Sequence, residues 1–184
     1  MIDPSWVLAL MLRAEHAPER SPYRPTYETT AAAIASAASA LPLFSGPKGA
    51  EKTAAFLVSV AWYESNFRQD AEGDHEKLPD GKKGRPRSFC AMQIHESNFA
   101  AFGVTREAIT LGSSEQSAIS RCIEVGLRLL HVSFAVCREK PLEGRLDHYA
   151  TGGSGCRKPL KDEGAHRVRK ALRLFREVPP PSAP

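Results

Sequence analysis

Long apolar runs are missing from this 184-residue chain. No stretch approaches the ~20 apolar residues that a membrane-spanning helix needs. The segment Trp6 to Leu12 is apolar but short. No basic residue precedes it, and Arg13, Glu15 and His16 follow it without a small-residue cleavage site. It therefore predicts a folded helix and not a signal peptide. C-x-x-C pairs are also missing. The four cysteines, Cys90, Cys122, Cys137 and Cys156, offer no zinc ribbon or redox motif. None of the six histidines belongs to an H-E-x-x-H run, so no metal is expected, and no cofactor. There are no internal repeats.

What is present describes an ordinary globular chain: 42% hydrophobic and 25% charged residues, enough for one domain with a real core and too little for two. The net charge of +4 and a pI near 9.0 favour an anionic partner, without choosing among nucleic acid, an acidic polysaccharide and a membrane surface. An even cysteine count permits disulfides. Cys137 and Cys156 could tie a helix end to a glycine-rich loop, and buried reduced thiols are equally open.

The pattern is mainly α with a small irregular or β wing. Asp3-Pro4 supplies an N-cap and a first-turn proline for a helix to about His16. Ala17 to Pro25, with three prolines, reads as a loop. Tyr27 to Leu41 is an alanine-rich helix ended before Pro42. Ser45-Gly46-Pro47 opens a third helix, apolar nearly all round and therefore central and buried. Arg68 to Arg87 is polar and rich in Gly, Asp, Lys and Pro, which predicts a wing with a short hairpin. Met92 to Ile94 is expected to be extended, and short helical pieces to follow at Glu96 to Phe102 and from Thr105. Ile119, Ile123, Leu127 and Leu130 mark a long helix from Ser113/Ser114 to Arg138. A helix over Pro141 to Tyr149 should stop at Gly152-Gly153. The last helix, Glu163 to Val178, should turn Val168, Leu172 and Phe175 inward. Its outer face should be cationic, with His166, Arg167, Arg169, Lys170, Arg173 and Arg176. Residues 1–46 are expected to form a helical extension packed on the core, 47–178 the principal domain, and 179–184 a frayed tail.

One glutamate, Glu64, ends the otherwise apolar segment TAAFLVSVAWYESNF over 53–67. Burial raises a carboxyl pKa and lets it hold a proton near neutral pH, the property needed to protonate a glycosidic oxygen. Three ordered segments then matter together: Glu64-Ser65 at that helix end, Ser88 to Ile94 (SFCAMQI), and His148 to Gly153 (HYATGG). They resemble, in order and rough spacing over residues 50–155, the lytic transglycosylase and goose-type lysozyme families of the lysozyme-like superfamily. The counterparts there are a Glu-Ser pair, an S-x-G-x-M-Q-[IL] run and an A-Y-N-x-G segment. Ile123 to Leu127 is a weaker match to the intervening I-x-x-G-x-x-x-L stretch. Two departures stand out: Cys90 where the families usually have glycine, and Ala150 where they usually have asparagine.

The resemblance implies a lysozyme-like helical domain that cleaves the MurNAc–GlcNAc β-1,4 bond of peptidoglycan glycan strands. Glu64 would be the catalytic acid and then the base. The transglycosylase route, with the sugar's own 6-hydroxyl as nucleophile, needs no second carboxylate. The muramidase route uses water, which a second carboxylate, Asp74 or Asp80, would position. Ser65, Met92, Gln93, Tyr149 and Asp74 are the expected substrate-side residues. Met92 would be an apolar wall, Gln93 an acetamido or hydroxyl partner, and Tyr149 a hydrogen-bond partner of Glu64. Ser65 would hold a neighbouring backbone or carboxyl group. Plainer roles stand beside these: Met92 as core filler, Tyr149 as a core aromatic, Asp74 as a turn residue. His95 is a further candidate cleft residue. A non-catalytic glycan-binding domain, or a nucleic-acid binder using the basic last helix, is the alternative class. No aromatic ladder or nucleic-acid motif supports nucleic acid as partner. Without a signal peptide, such an enzyme would be made in the cytoplasm and reach the wall by release or delivery, as a phage lysin or injected effector does.

Overall fold

Asp3 accepts a hydrogen bond from the Ser5 amide at 2.8 Å, and Pro4 occupies the first turn, so α1 (Pro4–Ala14) begins where the local chemistry directs. The computed structural model describes residues 1–15, 24–110, 115–146, 148–149, 156 and 163–181. A 3-10 turn at Arg24–Thr26 leads into α2 (Tyr27–Ala40). Ala31, Ile34, Ala35 and Ala38 form its buried stripe, and the small side chains let it lie close to α1, to α3 (Gly49–Ser65) and to α6 (Glu115–Val136). Residues 53–61 of α3 are buried without a break, as an all-round apolar helix requires. On α6 the expected Ile119, Ile123, Leu127 and Leu130 all face the core.

Seven α-helices and one small sheet stand among the described residues, so the fold is mainly α with a small β wing. The strands β1 (Glu72–Gly73), β2 (Ser88–Phe89) and β3 (Ile94–His95) pair antiparallel in that order, Glu72 opposite Phe89 and Ser88 opposite His95. Between β1 and β2 the wing projects as a loop, closed near its tip by a Lys77–Lys83 bridge. Short α4 (Phe99–Phe102) and α5 (Arg106–Ile109) follow, the latter capped by the Thr105 hydroxyl. One apolar cluster takes in residues from Ile2 to Leu174 and so includes α1 and α2.

The elements depart from the expectations in four places. Of the expected extended stretch Met92 to Ile94 only Ile94 is in a strand; Met92 and Gln93 belong to a turn over 90–93, with Cys90 and Gln93 both left-handed at φ 62° and 47°. The expected helix from Pro141 begins as a turn with a 3-10 piece at Gly144–Leu146 and among the described residues is α-helical only at 148–149, while Gly152-Gly153 lie outside them. The last helix, α7 (Glu163–Glu177), buries Gly164, Arg167, Val168, Lys170, Ala171 and Leu174, whereas Leu172 is 54% exposed. The inward stripe is thus rotated from the expected one and includes two cations. They are tolerated inside because each has partners there: Lys170 Nζ donates to the Ala14 carbonyl at 2.9 Å and lies 3.2 Å from the centre of the Trp62 ring, and Arg167 meets Glu64. Finally, Pro180 of the expected frayed tail is buried.

All four cysteines are paired, Cys90 with Cys122 and Cys137 with Cys156. The first bridge ties the wing's base to α6. Among the described residues no helix is long and apolar enough to cross a membrane, and no group of three or more His, Cys, Asp or Glu could hold a metal ion.

Candidate active site

Glu64 lies in the last turn of α3, one residue before the helix ends. The chain leaves that helix through two successive left-handed residues, Asn66 (φ 54°) and Phe67 (φ 63°). Phe67 is fully buried and meets the Tyr27 ring edge-on at 5.5 Å. A phenylalanine at positive φ is held there only by its surroundings. Ser65 helps to hold them: its hydroxyl donates to the Ala91 carbonyl at 2.9 Å and accepts from the Arg68 amide at 3.1 Å. The glutamate-bearing helix end is thereby stapled to the 90–93 turn.

A groove of about 810 Å³ opens beside Glu64, within the roughly 300–1,000 Å³ usual for ligand sites. The wing contributes Asp74, His75, Glu76, Lys77 and Arg87, the sheet side Gln93, His95, Ser97 and Asn98, α6 Leu129, and the segment beyond it His148 and Tyr149. Every lining residue except Leu129 carries a polar group, which suits a hydroxyl-rich ligand. The wing wall is braced by ion pairs, Arg85 to Glu76 at 2.8 Å and Arg87 to Glu96 at 2.9 Å. Asp74, at φ 46°, accepts a 2.5 Å hydrogen bond from the Ser88 hydroxyl. Gln93 Nε2 donates to the Cys90 carbonyl at 3.2 Å, and its Oε1 occupies space that Gly73 leaves open by lacking a side chain. Residues at positive φ thus cluster here: Asn66, Phe67, Asp74, Cys90 and Gln93. Such clustering is the mark of a site whose geometry is imposed by its neighbours.

The Glu64 side chain is 15% exposed, and its Oε1 accepts from Arg167 Nη2 at 2.9 Å. Burial pushes its carboxyl above the usual range. The Arg167 cation and hydrogen bond pull it back, and the Glu163 and Asp74 charges push it up again, leaving it raised. Burial, then the Glu64 charge, hold the Tyr149 phenol well above its ordinary value, so it stays a neutral donor. Two buried nitrogens, His148 Nδ1 and Arg167 Nε, have no hydrogen-bond partner among the described residues.

Of the residues singled out from sequence, Glu64, Asp74, Gln93, His95 and Tyr149 meet at this groove. Ser65 and Met92 do not line it. Met92 is fully buried, packed against Gly126, and so is core filler and not a cleft wall. The Tyr149 hydroxyl donates to the Met92 carbonyl at 2.5 Å and not to Glu64, because the fold brings the 90–93 turn against it. Asp80 is on the wing tip, paired with Lys82 at 3.1 Å, and does not line the groove. Ala150 is outside the described residues. Sequence reasoning missed Arg167 as a site residue. The signal was available, because Arg167 shares its helix face with Gly164, Val168 and Ala171. No protein-family model matches this chain, and neither does any curated protein or solved structure.

Proposed function

We propose that this protein cleaves the peptidoglycan glycan strand at the MurNAc–GlcNAc β-1,4 bond, as a lytic transglycosylase with Glu64 as its single acid and base. The observation that carries this reading is a largely buried carboxyl, held above its usual pKa range by desolvation, on the wall of a polar groove. Protonated Glu64 delivers its proton to the glycosidic oxygen as the C1–O bond breaks. The resulting carboxylate then takes the proton of the 6-hydroxyl while O6 closes on C1, giving a 1,6-anhydro end and regenerating the acid. Gln93 offers both donor and acceptor to an acetamido or hydroxyl group.

A second reading, a muramidase using water, is favoured by one specific observation: Asp74 lines the same groove and is fixed by Ser88. Its carboxylate would orient the attacking water. Digestion of purified cell walls tests both. Glu64→Gln should lower turnover by about 10²–10⁴-fold with the fold intact, since the glutamine carbonyl still accepts from Arg167. Unchanged turnover would end the assignment to Glu64. Mass analysis of the products then separates the routes, because an anhydro end is lighter than a reducing end by one water. Reducing ends alone would select the muramidase.

A further inference from the structure

We propose that Arg167 is the positioning residue of this site: by gripping Oε1 of Glu64 it leaves Oε2 as the oxygen that carries the proton to and from substrate. The inference rests on Glu64 acting as the acid. It begins with the way Arg167 is held. Its own carbonyl accepts the Ser59 hydroxyl of α3 at 2.7 Å, so the helix that carries Glu64 also anchors the backbone of its partner. Close by on α7, Gly164 packs so tightly on the Glu143 carbonyl that any side chain there would collide with it. The guanidinium lies 5.5 Å from the centre of the Tyr63 ring. Arg167 is only 8% exposed, so its cation is not a surface charge that happens to lie near an acid.

The electrostatic surroundings of Glu64 come from three directions. Arg167 and Glu163 face it from α7, Asp74 from the wing, and Tyr149 from the far side of the groove. Arg167 is the only one of these that favours the carboxylate; Glu163 and Asp74 oppose it. Nη1 of Arg167 is also within 3.6 Å of Glu163, a residue 60% exposed in its side chain, but the short contact goes to Glu64. No hydrogen bond to Oε2 exists among the described residues. Arg167 thus does two things at once. It fixes which carboxyl oxygen is free, and it stabilises the anion that forms when the proton leaves, which makes the acid stronger without making it permanently ionised.

The experiment follows the Glu64 carboxyl directly by ¹³C NMR titration, assigned with Glu64→Gln, beside the pH profile of wall cleavage. In Arg167→Met the Glu64 midpoint should move to higher pH, and the alkaline limb of the profile should move with it. Turnover at the optimum should fall at least tenfold, because the departing proton leaves an unsupported anion. Arg167→Lys keeps the charge but not the planar fork. Its midpoint should return towards the wild-type value while turnover stays low. A midpoint and limb unchanged in Arg167→Met overturn the proposal, and if that variant does not fold, the same reading is taken from Arg167→Gln. A wild type that leaves walls intact, with a midpoint that still moves on losing Arg167, strikes out the wall-cleaving reading and leaves the grip on Glu64 standing.

Discussion

Gly126 sits in the middle of α6, where alanine should improve a helix by about 1 kcal/mol. Here the opposite is expected. A β-carbon at 126 would lie 2.7 Å from both Cε and Cγ of Met92 and 2.9 Å from its Cβ. Met92 has no room to retreat: it is fully buried, Cys90 two residues earlier is bonded to Cys122 of the same helix, and the Met92 carbonyl is held by Tyr149. Overpacking at a site of this kind costs about 1–3 kcal/mol. Set against the propensity gain, Gly126→Ala should lose about 1 kcal/mol net, which lowers the melting temperature by about 2–4 °C in a chain of this size. On the proposed function, wall cleavage should fall with it, because the displaced turn carries Gln93. The assay is a double-mutant cycle by urea unfolding. Met92→Ala alone should cost about 2–5 kcal/mol. In that background the contacts with Cγ and Cε are gone and only the 2.9 Å approach to the β-carbon remains, so the loss from Gly126→Ala should shrink towards zero. A Gly126→Ala that stabilises equally in both backgrounds would refute the close approach of the turn to α6.

The Cys90–Cys122 bridge closes a 32-residue separation and Cys137–Cys156 one of 19; chain entropy assigns them about 3.7 and 3.2 kcal/mol at 25 °C, so removing the first should shift the urea midpoint at least as far as removing the second. Because Cys90 is left-handed, Cys90→Gly with Cys122→Ala should be more stable than Cys90→Ala with Cys122→Ala by about 1 kcal/mol, and equality of the two would sink that account of the turn. Burial, helped by Arg173, pushes Lys170 from its ordinary 10.5 down to about 8. Between those values the unfolded chain binds the extra proton, so stability should rise with pH across that window. Urea unfolding of the wild type should show this rise relative to Lys170→Met, and parallel pH curves would refute it.

Periodicity carried the helices well. The capping of α1, the all-round apolar α3 and the spaced Ile and Leu of α6 are local patterns, and a local pattern is enough when one face or every face is to be buried. The wing was legible as polar and irregular for the same reason. The turn at 90–93 was not. Its left-handed residues are a cysteine and a glutamine, neither of which announces such a backbone as glycine does, and what stabilises them is a bridge to Cys122 and contacts with Gly126. Met92 looked like a cleft wall because a motif lists side chains in order without saying which of them point down. On α7 the error had one source: long cations were taken as outward-facing, although an arginine or lysine with a partner can lie on the buried stripe.

Glu64 could be picked out from the chain alone, because a lone carboxylate closing an apolar helix is a local anomaly visible in fifteen residues. Its company was legible in part: Asp74, Gln93 and Tyr149 stand in the ordered segments that follow it, but Arg167, separated from it by 103 positions, read as part of an outward cationic face. Only the folding of α7 onto α3, with the wing drawn over the helix end, decided that one acid would face a groove on one side and a buried cation on the other. Hydrophobic spacing states which surfaces must be covered, and it leaves the choice of what covers them to packing across the whole chain.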